Sequence, residues 1–152
     1  MKLLIFRTGD QQFALPLESV EQVVQAVNIT SLPDAPDYIS GVINYHGSII
    51  PVLNTRKLFM MTKRELKSND QFVIVKTATV FMALWVNSTR VVADMLEDDF
   101  IDIQEIRYGE KHIKGVVKSE KEIILLNDAD KFLTKKELQK LQNALKKAKL
   151  PN

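Results

Sequence analysis

LPDAPDYISGVINYHGSIIPVLNTRKLF, residues 32–59, decides how this chain is read. Pro33 and Pro36 stiffen the approach to a strand that starts at Gly41. Tyr45-His46-Gly47-Ser48 then makes a two-residue hairpin turn, in which Gly47 supplies a positive φ and His46 tolerates one. Pairing across that turn puts Ile43, Tyr45, Ile50 and Val52 on one face, the core side, and Asn44, Ile49 and Pro51 on the other. Pro51 cannot donate to a ladder, so its strand is expected to be an edge there, or its nitrogen to face away from a neighbour. The expected product is a half-protected edge beside a turn bearing Asn44 and His46. That surface suits docking rather than chemistry.

The rest of the chain narrows the class. Its 152 residues suffice for one ordinary domain or two very small barrels sharing a core. Apolar content of 45% and charged content of 26% are globular values. A net charge of +2 is too small for a nucleic-acid footprint over the whole surface. The absence of cysteine removes disulfides, thiolate metal sites and a cysteine nucleophile, and fits a reducing interior. The run of four apolar residues before Arg7, Leu3 to Phe6, is too short for a signal-peptide core, and no run reaches membrane-span length. A cytoplasmic protein is expected.

The chain also repeats itself. Leu3 to Val23 aligns without a gap on Phe72 to Val92, and Gly41 to Phe59 on Gly115 to Leu133. Each half reads as short β-strands with turn residues between them, the pattern of a small barrel or sandwich. Ser19 to Gln22 could alternatively begin a helical turn. Residues 60–70 are polar and mark the boundary between halves as a solvated crossover, with Met60 and Met61 packed. Thr134-Lys135-Lys136-Glu137 is a capping box, and Leu138, Leu141 and Leu145 follow on one helical face. That helix is expected to dock by its leucines and leave its lysines in water. In the second copy Lys118 to Glu122 replaces the Asn44 to Ser48 turn, so the halves share a scaffold but not a surface.

Taken in order, Leu32-Pro33, Ala35-Pro36, Tyr38-Ile39, Gly41-Val42-Ile43-Asn44, Gly47 and Ile49-Ile50-Pro51-Val52 resemble the CheW-like domain family over nearly the whole chain. The resemblance implies an all-β fold with a C-terminal helix, in which two small five-stranded Src-homology-like barrels share a core. Residues 1–59 with 134–152 would form the first barrel, 71–133 the second, and 60–70 the connector, in one free-standing domain over 1–152. It further implies a non-enzymatic adaptor coupling the cytoplasmic tips of methyl-accepting chemoreceptors to the regulatory domain of the histidine kinase CheA, without ATP, cofactor or metal. Such an adaptor would reach membrane-associated arrays through its partners, without inserting in the membrane. The receptor tip would lie beside Val20, Gln22, Gly41, Asn44, His46 and Gly47. Pro33, Pro36, Tyr38, Ile43, Ile50, Pro51 and Val52 would carry the structural motif. The family usually has Arg where this chain has His46, an acid where it has Gln22, and Asp where it has Asn54. A neutral pair at the first two positions is what loss or exchange of an interface ion pair would leave. The departures are compatible with service to a divergent receptor or to a pilus-type twitching-motility system.

Other functions find less support. Only His46 and His112 are available for acid–base work, and neither sits in a triad or metal spacing. The acidic stretch Asp94 to Glu105 lacks the pattern and glycine of a calcium loop. Binding of single-stranded nucleic acid would need aromatics interleaved with Lys and Arg, for which Phe6-Arg7 and Tyr108 to Lys111 are the nearest stretches, while Phe81 and Trp85 on an alternating strand read as core or interface.

Overall fold

A computed structural model of the chain describes residues 2–92, 100–102, 112–118 and 122–148. Its elements are β1 (Leu3–Thr8), β2 (Gln11–Pro16), β3 (Val20–Gln25), β4 (Ile39–Tyr45), β5 (Ser48–Asn54), α1 (Thr55–Leu58), β6 (Gln71–Lys76), β7 (Phe81–Val86), β8 (Ser88–Val92), β9 (Phe100–Asp102), β10 (Ile113–Lys118), β11 (Ile123–Asn127) and α2 (Lys135–Lys147). The helical alternative after Pro16 reduces to one 3-10 turn, Leu17–Ser19, before β3. The acidic stretch falls mostly, and Tyr108 to Lys111 wholly, outside the described residues.

Two sheets result, ordered β8-β1-β2-β11-β10-β9 and β3-β6-β7-β5-β4. The repeat is visible strand by strand. Shifting β1, β2 and β3 by 69 residues lands on β6, β7 and β8, and shifting β4 and β5 by 74 lands on β10 and β11. Applied to the second sheet, that mapping reproduces β8-β1-β2-β11-β10 of the first. The halves have exchanged hairpins: β1-β2 completes the sheet of the second half, and β6-β7 that of the first. The sheets therefore do not follow the division into residues 1–59 and 71–133. Sequence similarity marks which strands are equivalent but not which copies pair, since either pairing buries the same side chains.

Each sheet closes on its own small core, and the two cores match position for position. Leu3, Ile5, Ala14, Val117, Ile124 and Leu126 fill the first. Their repeat partners Phe72, Ile74, Ala83, Ile43, Ile50 and Val52 fill the second. Between them lies a larger shared core in which Phe13 stacks on Phe6 (5.6 Å between centroids) and on Phe59 (3.8 Å). Phe6 has no exposed surface and offers no platform for a base.

The hairpin expected from the sequence is present, with Ile43 opposite Ile50 and Tyr45 opposite Ser48. Its second face is not free, however. Val42, Pro51 and Leu53 are buried toward the shared core, with Ile49 packed against it. β5 is an interior strand between β4 and β7, so the expected edge at Pro51 is corrected. The proline is accommodated by phase. Val42 directs its N–H and C=O to Thr30 (2.8 and 2.9 Å), which makes Val42–Pro51 a non-hydrogen-bonded pair. The Pro51 nitrogen thus faces β7, whose pairing with β5 begins only at Val52.

Two other expectations change. Met61 packs on the shared core, but Met60, at φ 59°, is 86% exposed. Residues 60–70 are anchored rather than merely solvated: Asp70 is buried, and Leu66 packs on the second small core. The capping box at Thr134 and Glu137 is formed, and Leu141, Ala144 and Leu145 are buried while Lys146 and Lys147 stay exposed. Thr134→Ala should cost about 1 kcal/mol through the lost cap, read as a lower urea midpoint at unchanged slope.

Candidate partner-binding surface

β3 and β4 are the outermost strands of the five-stranded sheet, and rolling that sheet brings their rims together. A register shift between Val20 and Gln22 twists β3 there. Val20 is half-buried against the shared core, whereas Gln22 is exposed. Across the gap the Tyr45 hydroxyl donates to Gln22 Oε1 at 2.7 Å. The Tyr45 ring meets His46 edge-on at 4.4 Å. In the turn, His46 (φ 50°) and Gly47 (φ 86°) take the left-handed conformations expected, and Asn44 Oδ1 accepts from the Gly47 amide at 2.9 Å. The turn is thus held internally, and its exposed groups form one row: Gln22, Tyr45, His46.

The structure therefore brings Gln22, Asn44, His46 and Gly47 to one rim and leaves Gly41 out of it. Gly41 is buried where residues 29–30 cross β4, and a Cβ there would collide with the Thr30 carbonyl oxygen. Its role is close approach. Among the motif residues, Pro36 is buried and Pro33 exposed, and the Pro36 carbonyl accepts from Ile39 N (3.0 Å) in the turn leading into β4. Tyr38 packs against the shared core. Tyr45 is the participant that sequence reading missed, because strand alternation sends it inward. Its position as the last residue before the turn, where a ring can lie on the core and its hydroxyl still reach the rim, is the available signal.

Charge is concentrated under the other end of β3. Asp70 takes a bidentate pair from Arg64 (2.8 and 2.6 Å), the Lys67 amide (2.9 Å) and the Trp85 indole N–H (3.0 Å). Burial works against its ionised form, yet the Arg64, Lys67 and Trp85 bonds outweigh it and hold the carboxyl at about 2, below the usual 3.8. Trp85 is therefore committed to this latch. Phe81 is 38% exposed with the Lys76 ammonium 5.8 Å above its ring. Thr89 on β8 donates to Gln71 on β6 (2.9 Å), joining the two sheets. Further along the first sheet Arg90 pairs with Glu122 at 2.7 Å.

Among the described residues there is no group of three or more His, Cys, Asp or Glu placed to hold a metal ion. No helix among them is long and apolar enough to cross a membrane. His112 is buried against Phe59 and Phe132, with Nδ1 2.9 Å from Asn127 Oδ1. What the rim offers is shape, a few polar groups and an adjoining strand edge.

Comparison with known proteins agrees with this architecture. Residues 2–137 match the CheW-like domain. The chemotaxis protein CheW of Treponema pallidum is 30% identical over 148 residues, covering 93% of this chain and 87% of that protein. That of Thermotoga maritima is 28% identical over 134 residues, covering 87% of each. The crystal structure of the scaffolding protein TtCheW from Thermoanaerobacter tengcongensis superposes with a TM-score of 0.79 at 24% identity, covering 90% of this chain and 94% of that one. With a matched region that takes in both sheets, the hairpin and the start of α2, the chain belongs to the CheW-like domain family.

Proposed function

We propose that this chain is a non-catalytic adaptor that couples chemoreceptor tips to the regulatory domain of the histidine kinase CheA in the cytoplasm. The observation that carries the reading is the internally braced rim Gln22–Tyr45–His46, set on the two outer strands of a rolled sheet. A preformed surface of this kind loses little entropy when a partner docks. Membership of a family whose relatives bear the name chemotaxis protein supports the same reading. Gln22 and His46 stand at the positions where the family usually carries an acid and an arginine. Their selectivity therefore rests on hydrogen bonding and shape more than on a fixed ion pair.

Isothermal titration against the kinase regulatory domain and the receptor tip from the same cell tests this. Saturable micromolar binding to both is expected. Replacing Gln22 and His46 together by Ala should weaken the receptor tip at least tenfold and leave the kinase affinity within twofold. Receptor binding that survives both substitutions removes the rim from the site. Absence of binding to either partner overturns the adaptor reading.

A further inference from the structure

The pseudo-symmetry of the two sheets exposes a difference between them. On the five-stranded sheet, Ile49, Pro51 and Val80 line a cavity of about 340 Å³ together with Gln142 and Leu145 of α2. Their repeat partners on the six-stranded sheet are Ile123, Leu125 and Gln11. Ile49 packs against the shared core beside the helix, but Ile123 is 61% exposed. Around Leu125 and Gln11 lies a cavity of about 190 Å³, also lined by Phe13, Phe59, Met61 and His112. Met60, the residue before Met61 in the chain, is 86% exposed. The cavity sits beside β2, β10 and β11, whereas the Thr89–Gln71 junction with the other sheet involves β8, at the opposite edge.

The reason for the asymmetry is chain connectivity. After β11 of the six-stranded sheet and the short 3-10 turn Ala129–Lys131, the chain runs into α2, which lies beside Ile49, Pro51 and Val80 of the five-stranded sheet. After the equivalent α1, residues 62–67 read Thr-Lys-Arg-Glu-Leu-Lys, close to the Thr-Lys-Lys-Glu-Leu-Gln of 134–139 that starts α2. Yet 62–67 are not helical, because Arg64 and the Lys67 amide are drawn to Asp70. Among the described residues, no counterpart of α2 borders the apolar seat at Leu125 as α2 borders Pro51 on the second sheet.

We propose that this seat, at Ile123, Leu125, Phe59 and Met61, receives an amphipathic helix of a partner protein. The occupant's chemistry is set by α2 itself: leucines spaced as Leu138, Leu141 and Leu145, on a helix with a polar outer face. Met61 and exposed Met60 suit such a contact, because thioether side chains adapt to a range of apolar shapes. The seat is separate from the Gln22–His46 rim, so this assignment stands whether or not the rim binds a receptor.

The test uses the full chain and a fluorescent peptide with the sequence of residues 133–148, followed by anisotropy and amide chemical shifts. Saturable binding is expected, with shifts centred on Gln11, His112 and Leu125. Ile123→Glu should weaken it at least tenfold. Val91→Glu, equally exposed but on β8, should leave it unchanged. Shifts centred on Ile49 and Val80 would mean that the peptide displaces α2 from its own place, and would overturn the proposal. So would no binding, binding indifferent to Ile123→Glu, or a dimer that Ile123→Glu dissolves, which would assign the face to a second copy.

Discussion

Gly41→Ala should destabilise the protein by ~3 kcal/mol, far more than a methyl group ordinarily costs in a strand. Residues 29 and 30 cross β4 so closely that a Cβ would strike the Thr30 carbonyl and the Ile29 side chain. Relief would require breaking the paired Thr30–Val42 hydrogen bonds, and the obstacle is backbone, which cannot rotate aside. Gly115, the repeat partner, meets the Ile101 carbonyl and the Phe100 ring in the same way, where β9 pairs with β10. Gly115→Ala is expected to behave alike. Gly47 is the internal control, because a Cβ there has nothing within 4 Å and only its φ of 86° resists substitution. Gly47→Ala should cost about 1 kcal/mol. Urea unfolding of the three variants checks the order. Equal losses at Gly41 and Gly47 would show that close approach is not what the glycine provides.

Asp70→Asn should rank with it. The substitution leaves Arg64, whose side chain is 20% exposed, facing a neutral amide, and breaks a pair whose carboxylate is 3% exposed. Removing one member of such a pair costs about 3 kcal/mol or more. The pH dependence has a definite sign. The folded carboxyl titrates at about 2 against 3.8 ordinarily, so it binds protons less readily when folded. Its contribution, about 2 kcal/mol, is fully present above pH 4 and is lost as pH falls through 2. Unfolding free energies measured from pH 5 to pH 2 should fall more steeply for the natural protein than for Asp70→Asn. Parallel curves would show that the latch carries no linked proton. Because Asp70 also holds Trp85 and the connector, the variant should expose residues 62–69 to proteolysis sooner than the rest.

Both predictions come from features that the sequence displays and does not explain. The two glycines align in the repeat, and the hairpin reading places Gly41 at the start of a strand. That either one lies beneath a crossing segment requires knowing where residues 29–30 and 100–101 return to the sheet. Asp70 looks like one more polar residue at the end of a polar connector. Its burial follows from the meeting of Arg64, Lys67 and Trp85, and the last of these lies on another strand. Capping-box chemistry tells a similar story. Thr134 with Glu137 and Thr62 with Glu65 offer nearly the same local signal, and only the first becomes a helix. At the second site one buried ion pair outweighs a few tenths of a kcal/mol of helix propensity per residue.

The sequence by itself determined the strands other than β9, which lies in the stretch read as an acidic loop, the turn at His46-Gly47, the docking face of the C-terminal helix and the equivalence of the two halves. Those are properties of spacing, φ preference and local hydrogen bonding, and they are complete within a few residues. Only the tertiary structure decided that the hairpins are exchanged between halves, that β5 is interior despite Pro51, and that Tyr45 ties Gln22 to the turn. It also decided that α2, which follows β11 of the six-stranded sheet, lies beside the five-stranded one. Each of these depends on which of two nearly equivalent segments meets a given strand. Segments that bury the same residue types are not distinguished by hydrophobic pattern, so the choice falls to connectivity and to a few buried polar contacts.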